Sequence, residues 1–153
     1  MSSSKEQQLW NACTSGDLEL VQRLVTNPSV NINWGDPEYD RTSFYRACYY
    51  GHLSVVEFLL QHSKVDMNKS QSEGATPFYV ACQQSHKEVI SLLLKDMRIE
   101  SMWTSQRRME SRLFYSACEK GHLEVVSLLL ANMRIDVNAP QNEGATPFLH
   151  CLP

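Results

Sequence analysis

The sequence predicts an all-α repeat solenoid of stacked helix–turn–helix units, and three observations carry that prediction. First, one stretch recurs. Gly74 to Leu94 (GATPFYVACQQSHKEVISLLL) has counterparts beginning at Arg41 (RTSFYRACYYGHLSVVEFLL) and Ser111 (SRLFYSACEKGHLEVVSLLL), a reduced form at Leu9, and a fresh start at Gly144. Second, the spacing is nearly constant: Ala12, Ala47, Ala81 and Ala117 lie 35, 34 and 36 residues apart, and a further 34 residues lead to Cys151. Third, every full copy has the same grammar, two short apolar segments separated by a tight-turn residue. A unit of this size cannot bury its apolar face alone, so copies must stack on one another.

Taken in order, Ser4 followed by Gln7 reads as a capping box for a helix starting near Lys5 and running to about Thr14. Gly16 breaks that helix with a left-handed turn. Leu18, Val21, Leu24 and Val25 give a second helix one apolar face, Asn27-Pro28-Ser29 stops it, and Val30 to Asn33 reads as a short extended run. In the second unit Thr42 caps a helix through Ala47 and Cys48, Gly51 turns the chain, and Val55, Val56, Phe58, Leu59 and Leu60 line the next helix. In the third, Thr76-Pro77 is the clearest start signal: Thr accepts a backbone N–H, and Pro sits where its missing donor is harmless. The fourth reads from Leu113 to Leu130, with Arg112-Leu113 replacing Thr-Pro. Losing a cap costs on the order of 1 kcal/mol, so some compensation is expected there.

These residues resemble the ankyrin repeat, with Thr-Pro-Leu-His-x-Ala in its first helix and Gly-His-x-x-Val-Val-x-x-Leu-Leu in its second. The matching residues are Thr76-Pro77-Phe78 with Ala81, Thr146-Pro147-Phe148, Gly51-His52, Gly121-His122, and Val125-Val126 with Leu129-Leu130. Asp66-Met67-Asn68 and Asp136-Val137-Asn138 match the segment that follows the second helix. The resemblance implies antiparallel helix pairs joined by β-hairpin fingers, a concave face of fingers and first helices, and a protein-binding role without catalysis. Two features depart from the pattern: Tyr45, Tyr79 and Tyr115 stand where the family has His, and the link after each second helix is about one residue longer. On this basis residues 1–153 are expected to be one domain, with repeats at about 5–36, 37–71, 72–107 and 108–141 and a partial fifth at 142–153.

Composition narrows the function. The chain has 153 residues, 42% of them hydrophobic, enough for a core, and a net charge of −3, which gives no global attraction to nucleic acid or anionic membrane. No apolar run approaches the ~20 residues of a membrane span, and MSSSKEQQLW is not a secretory signal. A cytoplasmic protein with access to the nucleus is expected. The Asn68-Lys69-Ser70 sequon is accordingly read as coincidence.

Cys48-x3-His52, Cys82-x3-His86 and Cys118-x3-His122 invite a zinc reading, but each pair is one fixed repeat position. Neighbouring copies should lie roughly 10 Å apart, too far for disulfides and too dispersed for a tetrahedral site. The cysteines read as small core residues and the histidines as turn residues; no metal and no cofactor is expected. There is no Gly-x-Ser-x-Gly, phosphate loop or His-Glu-x-x-His, so no enzyme is expected either.

Where the copies disagree, the sequence speaks about binding. From the finger Asn, or its equivalent, to the helix-one Ala position the counts are 14, 13, 15 and 13, whereas the preceding interval is eight in every copy. Length variation thus sits in the fingers. The first finger is acidic, with Trp34, Asp36, Glu38 and Tyr39. The longest carries Trp103, Arg107, Arg108 and Met109. Such residue types are enriched at binding hot spots, although each Trp could equally pack its own finger. Before the helix-one turn, Tyr49-Tyr50, Gln83-Gln84 and Glu119-Lys120 vary, and by the family's geometry they face the concavity, with Arg46 one turn back from Tyr50.

The expected function is therefore a scaffold or adaptor module holding a protein partner on its finger and inner-helix face. The alternative is a structural fragment of a longer array with no ligand of its own. Nucleic-acid binding through Arg107, Arg108 and Arg112 is disfavoured by the net charge. Gly144 to Pro153 supplies a finger and under two helical turns. The expectation is a truncated piece of a longer array, as a monomer; end-to-end association through the uncapped last unit is the other reading.

Overall fold

The computed structural model describes residues 4–96 and 107–132, with side chains in the second span described from Arg112 onward. Eight helices lie among them: α1 (Lys5–Ser15), α2 (Leu18–Val25), α3 (Ser43–Tyr50), α4 (Leu53–Leu60), α5 (Pro77–Gln83), α6 (Lys87–Leu94), α7 (Arg107–Glu119) and α8 (Leu123–Asn132). The readings that fall on Trp103, on Asp136-Val137-Asn138 and on the partial fifth unit lie outside the described residues. The chain divides into two compact units, Met1–Val89 and Ile90–Pro153, along a line that runs through α6.

In the first unit the helix starts follow from their caps. Ser4, Thr42 and Thr76 each accept the backbone N–H three residues on, from Gln7, Tyr45 and Tyr79, at 3.1, 3.1 and 3.2 Å. Thr42 and Thr76 do so from extended backbone, and Pro77 occupies the first helical turn. α1 packs on α3 and α3 on α5, while α2 packs on its own partner α1 and on α4. Leu9, Val21, Phe44, Val55, Val56, Leu59 and Phe78 fill the space between and are almost wholly buried. Each contributes about 1.5–3 kcal/mol by leaving water.

A glycine–histidine contact sets how successive copies meet. Gly16 and Gly51 end α1 and α3 at φ +76° and +71°. A Cβ at Gly16 would lie 2.7 Å from His52 Nδ1, and one at Gly51 would lie 2.4 Å from His86 Nδ1. The imidazole of each following copy thus rests directly on the turn of the copy before. Its Nε2 reaches the last turn of the same helix, 2.9 Å from Thr14 O for His52 and 2.9 Å from Tyr49 O for His86. A carbonyl oxygen only accepts, so Nε2 carries the proton and donates. The histidines are turn residues as expected, and they are also pins between copies.

The third copy, regular in its Thr-Pro start, is irregular at this turn. Ser85 occupies the glycine position and still adopts φ +61°. It keeps the hydrogen bonds of the other turns: Ser85 N donates to Cys82 O at 3.1 Å and His86 N to Ala81 O at 3.0 Å. A side chain in this conformation costs about 1 kcal/mol.

The segments between copies correct one expectation. Val30 to Asn33 is a turn and not an extended run. Asn31 Oδ1 accepts from Asn33 N at 3.1 Å, and Trp34 N donates to Asn31 O at 3.1 Å. Asparagine side chains compete with strand pairing in this way. Asn33 then clamps the next copy, donating from Nδ2 to Lys64 O at 2.7 Å and accepting from Asp66 N at 2.8 Å. The first finger closes through a single antiparallel bridge, Gly35 to Thr42, the one β-bridge among the described residues.

In the second unit α7 packs on α8 around Leu113, Phe114, Ala117, Val125, Val126 and Leu129. Here the expected basic finger tip is corrected. Arg107, Arg108 and Met109 form the first turn of α7, a helix of 13 residues that begins six residues before Leu113. Arg112-Leu113 provides neither the extended Thr cap nor the Pro start of the other copies. The run RRMESRL consists mostly of good helix formers, so the helix extends backwards through it. That extension is the compensation for the missing cap.

Two substitutions test the turn. Gly51→Ala should lose about 2 kcal/mol, because the left-handed backbone and the His86 ring both oppose a Cβ. Ser85→Gly should gain about 0.5–1 kcal/mol, the relief being partly offset by glycine's greater freedom when unfolded. Denaturant unfolding of the full chain measures both; equal and small effects of the same sign would show that the turn is not the constraint described.

Candidate functional site

The first helices and the first finger of the Met1–Val89 unit carry a cluster of rings around arginine. Arg46, on α3, is 9% exposed. Its guanidinium carbon lies 4.3 Å from the Trp10 ring centroid, 4.7 Å from that of Tyr50 and 5.8 Å from that of Tyr49. Nε donates to Thr14 Oγ1 at 3.1 Å and Nη2 to Tyr50 Oη at 3.0 Å. Thr14 in turn donates to Trp10 O at 2.8 Å. Tyr49 meets Tyr50 edge-on at 5.0 Å and stacks on Tyr45 at 6.5 Å. Desolvated cation–π contacts of this kind contribute about 1–2 kcal/mol and fix the side chain's rotamer.

The finger is held to this cluster through Arg41. Trp10 Nε1 donates to Arg41 O at 2.9 Å, and the Arg41 guanidinium covers the Tyr39 ring at 4.5 Å. Arg41 also pairs with Asp36 through Nε to Oδ2 at 2.9 Å and Nη2 to Oδ1 at 3.2 Å. Asp36 accepts three backbone N–H groups besides, from Glu38, Tyr39 and Arg41. Burial alone would raise its pKa. The Arg41 side chain and the N–H groups of Tyr39 and Arg41 outweigh that and hold it down at about 2. Lys69, from the next finger, bonds Asp40 Oδ1 at 3.0 Å and Asn33 O at 3.2 Å, and Ser72 N donates to Tyr39 O at 2.9 Å.

Asp36 and Arg46, both expected to meet a partner directly, are buried. For Asp36 this is a correction: its carboxylate is consumed in folding the finger. Arg46 shows only a narrow edge. Among the described residues Tyr39 and Tyr50 are the exposed aromatics, at 38% and 43%, Glu38 is exposed, and Trp34 and Tyr49 are half-buried. On α5 Gln83 is half-buried and Gln84, just beyond its end, is exposed; Glu119 and Lys120 are exposed in the second unit. The structure gathers Tyr49 and Tyr50 around Arg46, and links Tyr39 to that group through Arg41 and the Trp10 ring that both guanidinium groups approach. Trp10 and Arg41 were missed by sequence reasoning. A signal for Trp10 existed: it lies two residues before Ala12, the repeat position held by Tyr45 and Tyr79 in later copies.

The cysteines show a different chemistry. Cys13, Cys48 and Cys82 are buried free thiols. Burial pushes Cys13 up to about 12, and Cys48 and Cys82 are likewise raised by burial, so all three stay protonated. Cys118 is buried as well. Among the described residues no three His, Cys, Asp or Glu side chains gather as a metal site would require, and no helix is long and apolar enough to cross a membrane.

Stacked helix pairs, two of them started by a Thr cap and successive copies pinned where His52 and His86 rest on Gly16 and Gly51, define a helical-repeat protein. Models of ankyrin repeats match residues 9–102 (three copies) and 114–152, and the chain belongs to the ankyrin-repeat family. It is similar to part of the serine/threonine-protein kinase TNNI3K of Mus musculus, 40% identical over 57 residues, covering 37% of this chain and 7% of that one. It is also similar to part of BTB/POZ domain-containing protein 3 of Schizosaccharomyces pombe, 42% identical over 55 residues, covering 36% of this chain and 10% of that one. The chain thus spans a tenth or less of either relative, and the likeness concerns the repeats.

The Asp36 pKa gives a pH prediction. Its folded value lies below the ordinary 3.8, so its stabilising effect is complete above about pH 4 and is lost as pH falls towards 2. Asp36→Asn should destabilise the chain by about 2 kcal/mol at pH 6 and flatten the acid limb of a stability–pH curve. An unchanged acid limb would show that another carboxylate governs it.

Proposed function

We propose that this chain binds a protein partner on the finger and first-helix face of its Met1–Val89 unit. The observation that carries the reading is the exposure of Tyr39 and Tyr50 on side chains already immobilised by Arg41 and Arg46. Rigid aromatics lose little entropy on binding and dominate interface energetics. The reading is of a binding module and not of a catalyst. The protonated buried thiols support it, because a nucleophilic or metal-binding cysteine acts as thiolate.

The double variant Tyr39→Ala, Tyr50→Ala tests this. In affinity capture from cell extract, proteins retained by the wild-type chain should be lost or reduced at least about tenfold, the scale of two hot-spot side chains. The variant should lose about 2–3 kcal/mol of stability, because the Arg41–Tyr39 and Arg46–Tyr50 contacts go with the rings, so capture is compared at a temperature where circular dichroism shows both proteins folded. Identical capture by both proteins would place the partner elsewhere; capture by neither would favour a repeat segment with no ligand of its own.

A further inference from the structure

Two charged side chains are buried among the described residues, Asp36 and Arg46. Asp36 has Arg41. Arg46 has no carboxylate within ion-pair distance: the three ion pairs among the described residues are Arg41–Asp36, Arg41–Glu38 and Lys69–Asp40. Its surroundings are instead three ring faces and two hydroxyl oxygens. A cation withdrawn from water without an anion is an unusual arrangement in a fold that uses a buried Asp–Arg pair one finger away.

The donor geometry shows what is left over. Guanidinium offers five N–H donors. Thr14 takes Nε–H and Tyr50 takes one of Nη2. No buried side-chain nitrogen or oxygen among the described residues lacks a partner, so Nη1, which takes part in neither bond, lies at the edge of Arg46 that reaches solvent. Tyr50 Oη accepts from Arg46, which leaves its own proton free to be donated outward beside that edge. Rings on the sides keep water from the flanks of the site.

We infer that this edge receives a carboxylate from the partner: the bound protein inserts an Asp or Glu side chain against Arg46, with Tyr50 O–H donating to the same group. The inference rests on the binding face proposed above. A monoanion fits better than a phosphate. Arg46 supplies one positive charge, the cations nearest in the fingers are already paired with Asp36 and Asp40, and Glu38 and a net charge of −3 oppose a dianion.

The test uses the full chain and a displayed library of random dodecapeptides. Selected peptides whose binding depends on Tyr50 should share one Asp or Glu. Replacing that residue by Asn should weaken binding to the wild-type chain about tenfold or more, as expected for a charge-assisted fork, and weaken binding to Arg46→Gln less than about twofold. On the wild-type chain alone, the Arg46 Nε–H resonance should shift with the acidic peptide and not with its Asn form, which settles the matter even if Arg46→Gln folds poorly. Tyr50-dependent binders with no acid requirement, an equal loss on both proteins, or tighter binding of a phosphoserine analogue would each overturn the carboxylate assignment while leaving the face intact. Absence of any Tyr50-dependent binder would overturn the face itself, and the assignment with it.

Discussion

The rest of the first unit depends on the place where one copy's imidazole lies on the previous copy's turn. Gly16 and Gly51 are required twice over, by a left-handed backbone and by a ring that leaves no room for a Cβ. Once the ring is seated, its Nε2–H finds the carbonyl two residues beyond the helix-one alanine. That single contact fixes both the distance and the rotation between α1 and α3, and again between α3 and α5. Apolar burial supplies most of the stabilisation, but it is non-directional and would tolerate many offsets. The hydrogen bond and the glycine contact do not.

The arginine cluster follows from that register. Because α3 is held against α1, the position before the alanine on α3 meets the positions two before and two after it on α1. Those positions are Arg46, Trp10 and Thr14. In other copies the same set would be occupied by different residues, so the cage is written once and not repeated. Function on this scaffold arises in the same way as structure, from repeat positions brought into contact, but with residues that the repeat does not dictate.

Much of this was legible beforehand for a physical reason. Thr42, Thr76, Gly16 and Gly51 act on neighbours within a few residues, and such local chemistry can be read from a string. The helix pairs and their core therefore came out as expected. What was hidden depended on partners 25 to 40 residues away or on competing local choices. Asp36 looked like surface acidity, because its five acceptor contacts become apparent only when the finger is closed. Val30 to Asn33 looked extended because the pull of Asn31 on its own backbone was not weighed. Arg107 to Met109 looked like a finger tip because the repeat was assumed to restart where its predecessors did. Without a Thr-Pro start, helix propensity decided the boundary instead.

The spacing between copies varies in the segments that join them, and the first finger shows how that variation is made safe. Its exposed residues, Glu38 and Tyr39 among them, are carried on a loop whose fold is secured from within by Asp36 and from behind by Arg41 and Trp10. Lys69 and Ser72 then tie it to the finger that follows. A loop left free would lose conformational entropy each time it bound, at about 1–2 kcal/mol per residue ordered. Here that ordering is completed by folding. The buried Asp36 carboxylate and the immobilised Arg46 guanidinium thus have complementary effects: the one satisfies its charge internally to hold the surface still, and the other leaves its charge unanswered at that surface's edge.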